Sequence, residues 1–396
     1  MNRKKLVFSI IAFFGLYLFS TGISYAIFTY LVAPPMLRPV EEVGEAPEEV
    51  LPGGMRKLLD ATGPKTEACP LNGQKFTKAE KKAWEKRRPL LVMIENHQES
   101  RPQSGLSFAD ITYEAVAEGG ITRLMAIYYC DAQAQEVIVG PIRSARTYFL
   151  DWASEYGGYP LYVHVGGANT PGPANALGQI EEYGWGGIEG NDINQFSVGF
   201  PTFWRDYERL GHTVATEHTM YSTTERLWAV AKERGWTAES PDGDDWTDSF
   251  VSWKFEESAG DDETAGIAYS FWEDYGDYAV RWEYDKATNE YKRFNGGQPH
   301  KDLDNDQQLT AKNVIVIFTK ESTANDGYPG DIHLLYGTTG EGEALVFKNG
   351  KAVEGTWEKD SRLGRMKIFD EKGKEIGFVE GKIWISNLPA GAKLDY

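Results

Sequence analysis

Two rhythms of apolar and polar positions divide this chain. Between residues 88 and 240, short apolar runs alternate with stretches of helical period. Leu90, Leu91, Val92, Met93 and Ile94 form an unbroken apolar run, the pattern of a strand buried on both faces. Further strands are predicted over residues 111–116, 121–129, 137–139 and 161–165. Helices are predicted over residues 147–156, 174–183, 201–209 and 223–234, the last with Thr223 or Ser222 as its N-cap. Interleaved strands and helices predict a mixed α/β sheet. From residue 267 the rhythm changes to short alternating runs, at 279–284, 291–294, 314–318, 331–335, 343–347, 364–369 and 377–379. Asn349-Gly350, Lys372-Gly373 and Glu380-Gly381 are hairpin turn signals. The chain is therefore predicted to be α+β. A mixed α/β N-terminal domain spans residues 88–240, an acidic connection spans 241–266, and a smaller, mainly β C-terminal domain spans 267–396. Each domain is expected to fold by itself.

The first 87 residues follow neither rhythm. Arg3, Lys4 and Lys5 precede an uncharged stretch of 27 residues, 6–32; about 20 suffice to cross a bilayer as a helix. The cationic flank predicts a cytoplasmic N-terminus at residues 1–5 and a transmembrane helix over 6–32. The bulk of the chain then lies outside the cell membrane. A signal peptide cleaved near Ser24-Tyr25-Ala26 is the competing reading, against which stands an apolar run longer than a usual signal core. Residues 33–87 read as a linker with short helices. Pro34, Pro35, Pro39, Pro47 and Pro52 alternate with glutamates, a composition that stays extended. A short helix is predicted at residues 55–60. A second is predicted at 77–88, capped by Thr77 with Glu80 three positions on and ended by Pro89.

Charge narrows the partners. The formal net charge is −18, which argues against a general nucleic-acid-binding surface, so no nucleic acid is expected. The membrane, through residues 6–32, and an envelope polymer or partner protein are the expected partners. Cys69 and Cys130 are the only cysteines. Outside the membrane they can form one disulfide; otherwise one is a loop cysteine and the other is buried at a strand end.

Candidate chemistry gathers around residues 140–167, read as turn, helix, strand and turn. Arg143 and Arg146 fall at the turn or in the first helical turn, where cations are locally unfavourable. Each therefore requires a negative partner, either an anionic ligand or a carboxylate of the same chain. Polar residues recur at the ends of predicted strands: Glu95, Asn96 and His97, then Glu118, then His164. In open α/β sheets the carboxyl ends of strands line the ligand crevice. The candidate ligand-binding group is Glu95, Asn96, Arg101, Glu118, Arg123, Arg143, Ser144, Arg146 and His164. Its arginines can grip a carboxylate or phosphate bidentately, and Glu or His can move a proton. The competing reading is a buried arginine–carboxylate network that locks loops together, with His164 a satisfied core histidine. Ser144 lacks a nucleophile elbow. Glu217-His218 lacks the second histidine of a zinc helix motif, so no metal site is expected. No cofactor is predicted, and no catalytic residue is identified. Trp185, Trp204 and Trp228 read as mostly core, though exposed ones would suit sugar stacking.

Several blocks resemble a known family. RRPLLVMIENH, SRPQSGLSFADITYEAVAEGGITR, GPIRSARTYFLDWASEY and YVHVGG are similar to the N-terminal domain of the YerB-like proteins. RFNGGQPHKD, LTAKNVIVIF, GEGEALVFKNGKAVEGTWEK and GKIWISNLP are similar to their C-terminal domain. The resemblance runs across residues 88–389. It implies a bacterial, extracytoplasmic protein with paired domains, usually lipid-anchored and without an assigned activity. This chain departs from that pattern in lacking the anchoring cysteine and in carrying an extra segment, CPLNGQKFTKAEKKAWEKRRP. The resemblance implies the domain layout and the extracytoplasmic location; with the residues above, it leaves a membrane-tethered binding or accessory module of the cell envelope with an arginine/carboxylate pocket as the expected function. The alternative is a hydrolase or transferase acting on an envelope glycan or other anionic polymer, with Glu95 or Glu118 as acid or base.

Overall fold

The computed structural model describes residues 55–257 and 266–396. The predicted cytoplasmic residues 1–5, the span 6–32 and the proline- and glutamate-rich stretch 33–54 lie outside the described residues. Among the described residues no helix is long and apolar enough to cross a membrane.

Ten strands form one mixed sheet. From the first segment come β1 (Leu90–Glu95), β2 (Ile111–Glu118), β3 (Ile121–Tyr128), β4 (Leu161–His164) and β5 (Asp192–Asn194). From the second come β6 (Asn313–Thr319), β7 (Gly340–Lys348), β8 (Lys351–Lys359), β9 (Lys367–Asp370) and β10 (Ile383–Pro389). Their spatial order is β9-β8-β7-β6-β10-β2-β3-β1-β4-β5. All of β1 and β6 is buried, the consequence of strands covered on both faces. Asn349 and Gly350, both at positive φ, make the predicted turn between β7 and β8.

The join at the centre changes the expected organisation. Strand β10 lies parallel to both neighbours, with Ile385 opposite Ile315 of β6 and Tyr113 of β2. The two segments read as separate domains therefore share one sheet and one core, and the described residues belong to a single compact unit. The change of rhythm at residue 267 is real, but it does not mark a break in packing. Alternation reports which face of a strand is buried, not which strand lies beside it. A second sheet, built from Ile267–Tyr269, Val280–Asp285, Glu290–Asn295 and Gln298–Pro299 with Leu394–Asp395 at one edge, packs over the join. Trp282 meets Trp384 of β10 with ring centroids 5.5 Å apart, and Tyr269 Oη lies 2.7 Å from Ser386 Oγ.

Local readings fare unevenly. The capped helix exists as α1 (Lys78–Trp84), with Thr77 and Glu80 exchanging both bonds of a capping box. The segment around it is not a free linker. Cys69 is disulfide-bonded to Cys130, and Leu71, Phe76 and Trp84 enter the core. Residues 55–60 are not helical; Lys57 bridges to Gln135 instead. Helices α2 (Thr147–Ala153), α3 (Ala176–Glu182), α4 (Gln195–Val198) and α5 (Thr224–Glu233) follow, the last capped by Thr223. The predicted helix at 201–209 is absent. Trp204 and Arg205 pair antiparallel with Tyr221 and Met220, so a contact made elsewhere in the chain overrides a weak local pattern.

Candidate functional site

Topology decides which polar groups meet. Strands β1 and β4 are parallel, and β3 runs back between β2 and β1. The ends of β1, β2 and β4, carrying Glu95, Glu118 and His164, thus share one edge of the sheet with the start of β3. There Arg123 stands opposite Glu95 in register. The chain after Gly140 reaches the same edge. Arg143 donates its backbone N–H to the Met93 carbonyl over 2.8 Å, and Arg146 is the N-cap residue of α2. The predicted group assembles, but it divides into three parts with different chemistry.

The first part is internal. Glu118 accepts a hydrogen bond from Arg123 Nη2 at 2.8 Å and is ion-paired with Arg146. Two further donors go to backbone, Arg123 Nη1 to the Ser144 carbonyl at 3.1 Å and Arg146 Nη1 to the Ala145 carbonyl at 2.9 Å, while the buried Nε of each arginine makes no hydrogen bond. Burial opposes the charge on Glu118, yet Arg123 and then Arg146 hold its carboxyl down at about 2. These residues lock the β2–β3 turn to the chain entering α2. His164 is engaged in the same way, with Nε2 2.7 Å from Asp192 Oδ1 and Nδ1 2.6 Å from the Gly166 carbonyl.

The second part joins the two sheets. Asn96 Oδ1 accepts from Arg101 Nε at 3.1 Å and from Gln103 Nε2 and Asn295 Nδ2 at 2.9 Å each, while Asn96 Nδ2 donates to Thr122 Oγ1 at 2.7 Å. Arg101 also donates to the Asp277 carbonyl at 2.8 Å. Beneath them Glu114 and Arg293, both with no exposed side-chain surface, form an ion pair at 2.7 Å. Trp384 Nε1 donates to the same carboxylate at 3.1 Å. Asn96 and Arg101 therefore hold the fold together across the join. A cavity of about 390 Å³ beside them is lined by Arg101, Asp277, Asn295 and His300, and by neither Arg143 nor Arg146.

The third part faces outward and was only half visible in the sequence. Glu95 Oε2 lies 2.8 Å from His218 Nδ1. A carboxylate cannot donate, so Nδ1 carries the shared proton and Nε2 is left free. Arg143 Nε stands 3.0 Å from the same oxygen, out of line for a hydrogen bond, so the contact is an ion pair alone. The Arg143 side chain keeps 24% of its surface exposed, and its two terminal nitrogens make no hydrogen bond among the described residues. The His97 ring stacks on His218 with centroids 4.7 Å apart and planes 12° from parallel, and Glu99 Oε2 lies 3.7 Å from His218 Nε2. The hydrogen bond to Glu95 raises the pKa of His218 against the effect of burial. Burial in turn opposes ionisation of Glu95, but His218 and Arg143 bring its pKa below the ordinary value.

His218 and Glu99 were outside the predicted group. His218 arrives on the short Thr216–His218 turn, 123 positions from Glu95. The pattern Glu95-Asn96-His97-Gln98-Glu99, dense in ligand-type side chains just past a buried strand, is the signal that could have found Glu99. The tryptophans do not form an open stacking platform. Trp185 is fully buried, and Arg87 and Arg226 lie over Trp228 and Trp204 at 4.3 and 4.8 Å.

Residues 76–237 match the family described as protein of unknown function (DUF3048) N-terminal domain, and residues 268–385 match the DUF3048 C-terminal domain. The chain belongs to this YerB-like family. It is 31% identical over 326 residues to YerB of Bacillus subtilis (strain 168), a candidate lipoprotein, covering 81% of this chain and 86% of that protein. A crystal structure of YerB from Bacillus subtilis aligns with a TM-score of 0.67 at 25% identity, covering 84% of this chain and 100% of that one.

Proposed function

We propose that this chain is an extracytoplasmic binding module of the cell envelope, tethered through residues 6–32, that receives an anionic group at Arg143. The observation that carries this reading is the state of the Arg143 guanidinium. Glu95 orients it through one side, while both terminal nitrogens stay free and partly exposed among the described residues. That pair of donors matches a carboxylate or phosphate bidentately. The buried Glu95 keeps the Arg143 guanidinium from drifting. Arg146 and Arg123, by contrast, are spent on Glu118. The test is sedimentation of the full chain with purified wall polymer, before and after chemical removal of its phosphates. Binding should require an anionic polymer and fall at least about tenfold in Arg143→Ala, the loss of one charge-assisted pair. Equal binding by Arg143→Ala would overturn the reading.

A second reading rests on the Glu95–His218 pair. A carboxylate that accepts a hydrogen bond from Nδ1–H leaves Nε2 as a proton acceptor, the arrangement of a general base. Among the described residues no serine, threonine or cysteine hydrogen-bonds to His218, so the nucleophile such a base would activate is water. Release of a soluble fragment from wall polymer, abolished by His218→Gln, would favour hydrolysis over binding.

A further inference from the structure

We propose that His97, Glu99 and His218 bind one divalent transition-metal ion of the zinc class. The inference goes beyond the anion site and does not depend on it. Two imidazoles and a carboxylate with an open fourth position are the donor set of a reactive zinc centre. The three donor atoms lie within 4.8 Å of one another. Donors placed about 2.1 Å from a tetrahedral ion are separated by roughly 3.4 Å. His218 Nε2 and Glu99 Oε2, at 3.7 Å, are already close to that separation.

The surroundings favour the same role. Glu95 accepts a hydrogen bond from His218 Nδ1–H, which fixes the ring and leaves the Nε2 lone pair facing Glu99. A carboxylate behind a ligating histidine is the usual outer support of such sites. Glu95, Glu99 and Glu217 set three negative charges against the two positive charges of Arg143 and Arg123, so with neutral imidazoles the site attracts a cation. Arg143 sits on Glu95 rather than on the donors. His97 has to turn out of its stack on His218 to aim a nitrogen at the ion. Its Nδ1 now accepts the Glu99 N–H at 3.2 Å, a long bond that is easily exchanged. The Glu99 side chain is 56% exposed on the Gln98–Ser100 turn, so closure needs side-chain rotation and no change in the sheet. The other compact donor group, Cys69, Asp110 and Cys130, has its sulfurs committed to the disulfide.

The test uses the full, untagged chain in detergent, stripped with chelator and titrated with Zn²⁺ alone by calorimetry and with Co²⁺ by visible absorption. We expect one ion per chain, with a Co²⁺ d–d band and no thiolate charge-transfer band. His97→Gln and Glu99→Gln alter side chains outside the core, so they should melt like the parent while weakening Zn²⁺ binding at least about tenfold. Glu95→Gln should weaken it by roughly 10–100-fold, the usual effect of removing an outer partner. No saturable one-to-one Zn²⁺ binding in the micromolar range would overturn the proposal, as would Zn²⁺ binding unchanged by His97→Gln. No anionic polymer is present in this titration, so failure of the anion site leaves its outcome untouched.

Discussion

Arg143 and Arg146 are three residues apart on one turn, yet truncating them should have opposite consequences. Arg146→Ala removes one of two cations from Glu118 at a place where the arginine side chain is 9% and the carboxylate side chain 19% exposed. It also deletes the hydrogen bond from Nη1 to the Ala145 carbonyl. Breaking a buried pair by removing one partner typically costs about 3–5 kcal/mol. Arg123 stays 2.8 Å from Glu118 and keeps part of that compensation. We therefore expect a loss of about 2–3 kcal/mol, or a fall in Tm of roughly 3–4 °C for a folded unit of this size. Arg143→Ala leaves Glu95 its hydrogen bond from His218. It removes a partly solvated ion pair, for which about 0–1 kcal/mol is the usual range. Its Tm should stay within about 2 °C of the parent. Differential scanning calorimetry of the two variants at neutral pH and moderate salt separates them. The reasoning fails if Arg146→Ala melts like the parent, or if Arg143→Ala falls as far as Arg146→Ala.

Two further outcomes follow from the packing. Fragments covering residues 55–257 and 266–396 should each fail to melt cooperatively alone. Separation strands Glu114 from Arg293, and Glu155 from Lys359 and Arg365, all buried; a sharp melt from either fragment would refute this. Acid should also find Glu118. Its folded carboxyl sits at about 2 against an ordinary value of 4.5, so its stabilising effect is complete above about pH 4.5 and is lost as pH falls toward 2. The amount is about 3 kcal/mol, and Glu118→Gln should flatten that part of a stability-versus-pH curve measured by urea denaturation.

What depends on neighbours in sequence was legible without coordinates. The apolar run from Leu90 predicts β1 because burial on both faces demands it. Thr77 and Glu80 predict the start of α1 because a helix leaves N–H groups that only a nearby acceptor can satisfy. Asn349-Gly350 predicts a hairpin because both positions need positive φ. The same local reading placed Glu95, Glu118, Arg123 and Arg146 at element ends, and their meeting followed once those elements lay parallel. The tertiary structure alone decided the rest. Nothing in the rhythm of residues 383–389 says that β10 enters between β6 and β2, because a strand's alternation is the same whichever partner accepts its hydrogen bonds. That insertion turned two expected domains into one core and made Asn96 and Arg101 part of its fastening. Cys69 and Cys130, 61 residues apart, paired for the same reason: the fold brought their elements together. His218 could not be assigned beside Glu95 from sequence, since a separation of 123 positions carries no record of the distance between its ends. Short-range pattern determines what each segment becomes. Only packing of the whole chain determines which charges are consumed inside it and which, like Arg143, remain free to meet something else.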